Sequence, residues 1–147
     1  MRSLKFFEEF LKEGIVKKVA IDKERARSLV LGAERKRSSL KEHLEKIGVK
    51  MENANDYIEY CYNIIMNLIR AKLLLDGYSS SGNYSHEAEI SYLRKLGFEE
   101  KELNFINEMR YFRNGILYYG QFLDKEYAEK VINFLNQNYK RLINLIN

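Results

Sequence analysis

An all-α fold, an antiparallel bundle of about five to six helices, is predicted by three features of the sequence. None of its 147 residues is proline, so nothing removes a backbone donor from a helix interior. Apolar residues recur every three or four positions along most of the chain, the period of a helix with one buried face. Glycine, asparagine, aspartate and serine fall between the apolar segments, where helix stops and caps belong. No segment alternates with period two over useful length. No internal repeat, low-complexity tract or linker divides the chain. A single domain over 1–147 is expected, long enough to bury a core without disulfide or metal staples. Residues 1–20 either join that core or stand as an appended arm.

The elements follow in order. Leu4, Phe6, Phe7, Phe10 and Leu11 crowd one side of a short first helix that Gly14 ends. A long second helix is expected from about Asp22 to Ile47, with Ala26, Leu29, Ala33, Leu40, Leu44 and Ile47 at helical spacing and Gly48 as its stop. Glu42 and Lys46 make an i,i+4 pair of the favourable orientation. Asn53 or Asn55 is placed to cap a third helix that runs to Asp76. Its polar side is narrow, Glu59, Asn63, Asn67 and Arg70, so it is expected at the centre of the bundle. Gly77 to Tyr84 (GYSSSGNY) reads as the clearest loop. Ser85 opens a short fourth helix reaching Leu96, with Gly97 after it. Glu99 opens a fifth that ends at Tyr119 and Gly120. Asp124 caps a sixth, with Tyr127, Val131, Leu135, Leu142 and Ile146 on its apolar face.

Composition narrows the setting. With 46% hydrophobic and 31% charged residues, the chain has the balance of a globular protein rather than a disordered one. Cys61 is the single cysteine. It sits in an apolar helical run, so a buried core thiol in a reducing, cytoplasmic compartment is expected. Met1 to Gly14 is broken by Glu8, Glu9 and Lys12 and lacks the continuous apolar region of a secretion signal. The longest uncharged run, Tyr60 to Ile69, is too short to span a bilayer. No metal spacing and no cofactor motif stand out; Gly77 to Gly82 lacks the lysine of a phosphate-binding P-loop.

The net charge of +4 is unevenly spread. Lys17, Lys18, Lys23, Arg25, Arg27, Arg35, Lys36, Arg37 and Lys41 are opposed over that stretch only by Asp22, Glu24 and Glu34. Such a basic helix attracts nucleic acid, and equally serves as an ordinary solvated face.

The fifth helix breaks the pattern. Phe105, Met109, Phe112, Ile116 and Tyr119 share one narrow face, read as the core stripe. Beside it lies a second stripe, Ile106, Arg110, Arg113 and Leu117, in which two arginines alternate with aliphatic residues. Asn114 and Tyr118 lie just beyond. Arginines at a core edge need partners. Two readings stand: Arg110 and Arg113 pair with glutamates of neighbouring helices and cover apolar surface with their stems, or their guanidinium forks hold a phosphate.

The segment Arg110 to Gly120 (RYFRNGILYYG) resembles the motif of the HEPN family, in which an arginine, usually followed by asparagine, precedes a histidine by a few residues. The stretch Ala71 to Gly77, the Ser85-His86-Glu87-Ala88 helix start and the order of long helix, loop, short helix and motif helix are similar as well, so the likeness covers the chain from about Ser39 to its end. The resemblance implies a HEPN-like helical bundle that forms a homodimer, with motif residues of both subunits meeting at a cleft. It implies an RNA-associated protein or one member of a toxin–antitoxin pair, with a small nucleotidyltransferase-fold antitoxin as a partner. In ribonucleases of the family the arginine would hold the scissile phosphate and the histidine would move protons between the ribose 2′-OH and the leaving oxygen.

Arg113 and Asn114 carry over from the motif. Where the histidine would stand, four residues intervening after Arg113, is Tyr118. A phenol titrating near 10 is a poor base at neutral pH, though it donates hydrogen bonds and stacks on bases. The resemblance therefore implies a degenerate ribonuclease motif of Arg113, Asn114 and Tyr118. Arg110, Tyr119 and His86 are the further candidates for phosphate contact. Two alternatives remain open: a working metal-independent endoribonuclease, and a non-enzymatic dimeric interaction module. His43 is expected on the surface. His86, at a helix start after a flexible loop, is expected to serve local capping or packing rather than the site. Tyr78 and Tyr84 are expected to pack on the bundle.

Overall fold

In a computed structural model describing residues 3–147, the protein is an all-α helical bundle. Met1 and Arg2, which begin the N-terminal stretch read above, lie outside the described residues. The elements are α1 (Phe7–Lys12), β1 (Val16–Lys18), α2 (Lys23–Lys46), α3 (Ala54–Leu75), β2 (Tyr78–Ser80), α4 (Ser85–Ser91), α5 (Glu100–Tyr119) and α6 (Lys125–Ile146), with single 3₁₀ turns at Met51–Asn53 and Tyr92–Arg94. Among the described residues no helix is long and apolar enough to cross a membrane.

α3 occupies the centre, and α2, α4, α5 and α6 all pack against it. Its sequence requires this: Ile58, Cys61, Tyr62, Ile64, Ile65, Leu68 and Ile69 are all buried, more than one face of a helix can hold. α6 turns Ala128, Val131, Leu135 and Leu142 into the core at helical spacing. Leu4, Phe7, Phe10 and Val16 belong to the same buried cluster, so the N-terminal segment is part of the bundle. The Arg94 guanidinium holds that segment by donating to the carbonyls of Leu4 at 2.7 Å and Lys5 at 2.5 Å, while pairing with Glu100.

Several local signals act as read. The Asp22 carboxylate accepts from the Arg25 N–H at 3.0 Å, and Asp124 accepts from Tyr127 at 2.8 Å, each capping its helix. Gly120 ends α5 in the left-handed conformation at φ 63°. Glu42 and Lys46 pair at 2.7 Å.

Other signals are overruled. The Gly77 to Tyr84 loop contains β2, which pairs antiparallel with β1, Val16 opposite Ser80 and Lys18 opposite Tyr78. Three-residue strands are too short to show alternation; the pairing exists because the N-terminal segment closes on the end of α3, where Val19 donates to the Gly77 carbonyl at 2.8 Å. The fourth α-helix stops at Ser91, not Leu96. A tighter 3₁₀ turn follows, placing Tyr92 against Phe7 and Tyr78 and its hydroxyl 2.5 Å from Asp76. Neither asparagine caps α3 with its side chain. Asn53 instead accepts from Lys50 and donates to Gly48, and Asn55 reaches across to the segment after α5.

The buried face of α5 also differs from the stripe read above. Leu103, Ile106, Asn107, Met109 and Gly115 are buried, and Tyr119 is 87% exposed. α4 covers the side that carries Ile106 and Arg110, while Phe105 and Phe112 lean on Phe134 and Tyr127 of α6. Helical periodicity locates a face, but the neighbours decide which face is core.

Candidate cationic cleft

The turn at Gly82 brings the start of α4 alongside the second half of α5, and a cleft of about 460 Å³ opens between them. Gly82, Asn83, Tyr84, Ser85, His86 and Glu87 form one wall; Arg110, Arg113, Asn114 and Tyr118 form the other. Arg113, Asn114, Tyr118, Arg110 and His86, drawn from two helices, therefore share one concavity. Tyr119 does not line it, because one residue on a helix is a rotation of about 100°. Tyr78 packs on Phe7 and Tyr92 as expected, whereas Tyr84 stands at the cleft. His43 is exposed and contacts the Ser39 carbonyl.

The two arginines differ in how they are satisfied. Arg110 donates from Nε to the Asn107 side chain at 2.8 Å, and one of its terminal nitrogens lies 3.6 Å from Glu87. Arg113 has neither kind of partner. Its guanidinium sits over the Tyr62 ring, 5.4 Å from the centroid, and its Nε is buried with no hydrogen-bond partner among the described residues. The nearby acids of α4 are already engaged. Glu87 faces Arg110, and Glu89, only 2% exposed, accepts from Arg70 at 2.7 and 2.9 Å and from Ser80 at 3.0 Å. A cation–π contact supplies about 2 kcal/mol when desolvated. Taking an ion out of water costs several kcal/mol. Half-buried, Arg113 bears only part of that cost: its Nε is sealed off, while its terminal nitrogens stay accessible to an anion in the cleft.

His86 stacks on Tyr62 and its Nδ1 lies 2.8 Å from the Tyr62 hydroxyl. Burial raises the Tyr62 phenol well above its ordinary range, outweighing the arginines that pull it down. Nδ1 is the one hydrogen-bond partner of this buried hydroxyl among the described residues, so donation from Tyr62 to Nδ1 is the arrangement that leaves no buried proton unpaired. The network thereby assigns the ring proton of neutral His86 to Nε2. Burial also holds the His86 pKa below its ordinary value, and Arg70, Arg113 and Arg110 push the same way against Glu89. The resting imidazole is thus a neutral N–H donor beside two guanidiniums.

The three residues read from the motif lie together on α5. Arg113 and Asn114 face the cleft, and Tyr118, 71% exposed, stands at its rim. An imidazole, His86, enters the cleft from α4, a placement that chain order hides because His86 lies far upstream of Arg113 in sequence. Tyr62 and Glu87 complete the surroundings. Tyr62 is one of many apolar-face residues of α3, and only its contact with His86 distinguishes it. No group of three or more His, Cys, Asp or Glu side chains converges as a metal site among the described residues.

Comparison of the chain with models of protein families, with curated proteins and with solved structures gives no match.

Proposed function

We propose that the protein is a HEPN-type, RNA-associated helical protein whose cleft binds a phosphodiester and whose cleaving chemistry is lost or much reduced. The observation that carries this reading is Arg113, a half-buried guanidinium with no carboxylate partner among the described residues, in the wall of a cleft it shares with Arg110, Asn114, Tyr118 and His86. Arg110 and Arg113 against Glu87 leave the cleft with one net positive charge when His86 is neutral, which suits the single charge of a phosphodiester. Arg113 would fork to the phosphate oxygens, with the His86 Nε2–H as a further donor.

Bond cleavage needs a base for the 2′-OH. Tyr118 is poorly suited, and His86 has Nδ1 occupied by Tyr62 and its proton on Nε2. A ribonuclease reading is favoured by one observation, that His86 is in the cleft at all, and it requires the other tautomer, with Tyr62 accepting from Nδ1.

The surface beside the cleft supports a dimer. Leu117, Tyr119 and Phe122, which do not line the cleft, are 47%, 87% and 89% exposed in one short stretch of chain. Exposed apolar clusters of this kind mark interaction surfaces, and a two-fold contact here would bring two clefts close together.

The test is incubation of the pure protein with mixed single-stranded RNA in EDTA beside Arg113→Ala. Binding that weakens steeply with salt, is lost in the variant and leaves the RNA intact is the expected result. Cleavage lost in both Arg113→Ala and His86→Ala would establish the ribonuclease instead, and wild-type levels of binding by Arg113→Ala would refute the cleft.

A further inference from the structure

We infer that the cleft takes a whole unpaired nucleotide rather than a bare phosphate, with the base held against Tyr84 and Tyr118 while Arg113 holds the phosphate. The inference rests on the phosphodiester reading above and adds to it the two residues that would hold a base, Tyr84 and Tyr118.

A cleft of about 460 Å³ is far larger than one phosphate needs and falls in the range of sites that enclose a small molecule, roughly 300–1,000 Å³. The arginines occupy only one wall. The lining also includes two tyrosines from different elements, Tyr84 just before α4 on the facing wall and Tyr118 in the last turns of α5. Both rings are open to solvent, at 48% and 71% exposure, and neither has an aromatic partner within the chain among the described residues.

Tyr84 is not exposed through looseness. The turn that carries it is closed by Ser85 donating to the Gly82 carbonyl at 3.2 Å, and its own carbonyl accepts from Ala88 at 3.0 Å. Flanking the tyrosines are Asn83 and Asn114, whose side chains make no hydrogen bond among the described residues. Amide side chains offer both donor and acceptor, which suits a base edge. Rings that present a free face beside fixed cations are the means by which proteins hold single strands, since every base has a stacking surface. A base inside a duplex is already stacked and would have to be extracted first.

The experiment uses the full chain and three fluorescently labelled probes: a single-stranded RNA hexamer, an abasic hexamer with the same backbone, and the matched duplex. Wild type is expected to bind the base-bearing strand about 5- to 100-fold more tightly than the abasic one, the range that base–aromatic stacking supplies. Tyr84→Ala and Tyr118→Ala should each lose most of that preference, and Tyr118→Phe, which keeps the ring, should retain it. Arg113→Ala should weaken both single strands alike. Equal binding of base-bearing and abasic strands, still lost in Arg113→Ala, would overturn the nucleotide pocket and leave the phosphate site standing. Binding indifferent to Arg113→Ala would remove the phosphate site itself. Duplex bound as tightly as single strand, or loss of binding in Tyr118→Ala that tracks dissociation of a dimer in light scattering, would also overturn the pocket. Both tyrosines are exposed enough that circular dichroism of their variants should match wild type.

Discussion

The hydroxyl of Tyr62, buried in the central helix α3, lies 2.8 Å from Nδ1 of His86 at the start of α4. This contact ties the core to the cleft and sets the state of its only imidazole among the described residues. Because the folded protein holds the His86 pKa below the ordinary 6.5, the unfolded chain binds more protons than the folded one between those two values. The contribution of His86 to stability is therefore fully present above about pH 6.5 and is lost as the pH falls toward the folded pKa. Urea unfolding at pH 7.5 and 5.5 should show a smaller loss in His86→Asn than in wild type. An NMR titration should place the His86 pKa below 6.5 in the free protein and higher once a phosphate-bearing ligand is bound. An unchanged slope in the variant would contradict the burial argument.

Glu89 and Arg70 join α4 to α3 through two hydrogen bonds on a carboxylate that is 2% exposed. Removing one partner of such a pair strands the other, at a cost of about 3–5 kcal/mol. Arg70 is 28% exposed and regains some hydration, so Glu89→Ala is expected near the lower end. Replacing both, as Arg70→Met with Glu89→Leu, should restore most of the loss in a denaturant titration, since the apolar pair has no desolvation to recover.

Asn55 grips the segment after α5 from both sides, donating to the Gln121 carbonyl at 2.9 Å and accepting from the Leu123 N–H at 3.0 Å. Phe122 is held between these two bonds, pointing outward. Asn55→Ala should cost about 1–2 kcal/mol, as two partly exposed hydrogen bonds suggest, and should speed hydrogen exchange at Leu123 well beyond that of the core amides. Protection at Leu123 that survives the substitution would mean the clamp is dispensable.

Cys61 is fully buried on α3, and burial pushes its thiol up to about 12. The thiolate is the reactive form, so the native protein at pH 8 should resist a disulfide-exchange reagent that titrates one thiol at once in guanidinium. Rapid native labelling would show that α3 opens locally on the same time scale.

The helices themselves were readable because their signals are local. Periodicity, the Asp22 and Asp124 caps and the Gly120 stop each act within a turn or two of chain, and each operates in the fold. The signals that misled were those with competitors far away in sequence. Asn55 was a fair cap for α3 until the segment after α5 offered it two backbone partners at once. The helix that reads to Leu96 gives way after Ser91 to a tighter turn, from which Tyr92 reaches Asp76 and Arg94 reaches the N-terminal carbonyls.

The candidate site divides along the same line. Arg110, Arg113, Asn114 and Tyr118 fall within nine residues of one helix, and their nearness follows from the chain alone. That Arg113 would be left without a carboxylate, that Tyr119 would face solvent, and that His86 would enter the cleft with its tautomer set by Tyr62 depend on how α4 is docked against α3 and α5. Docking is set by packing and by which charges pair first, a competition among residues distant in sequence, and short-range spacing carries no record of its outcome.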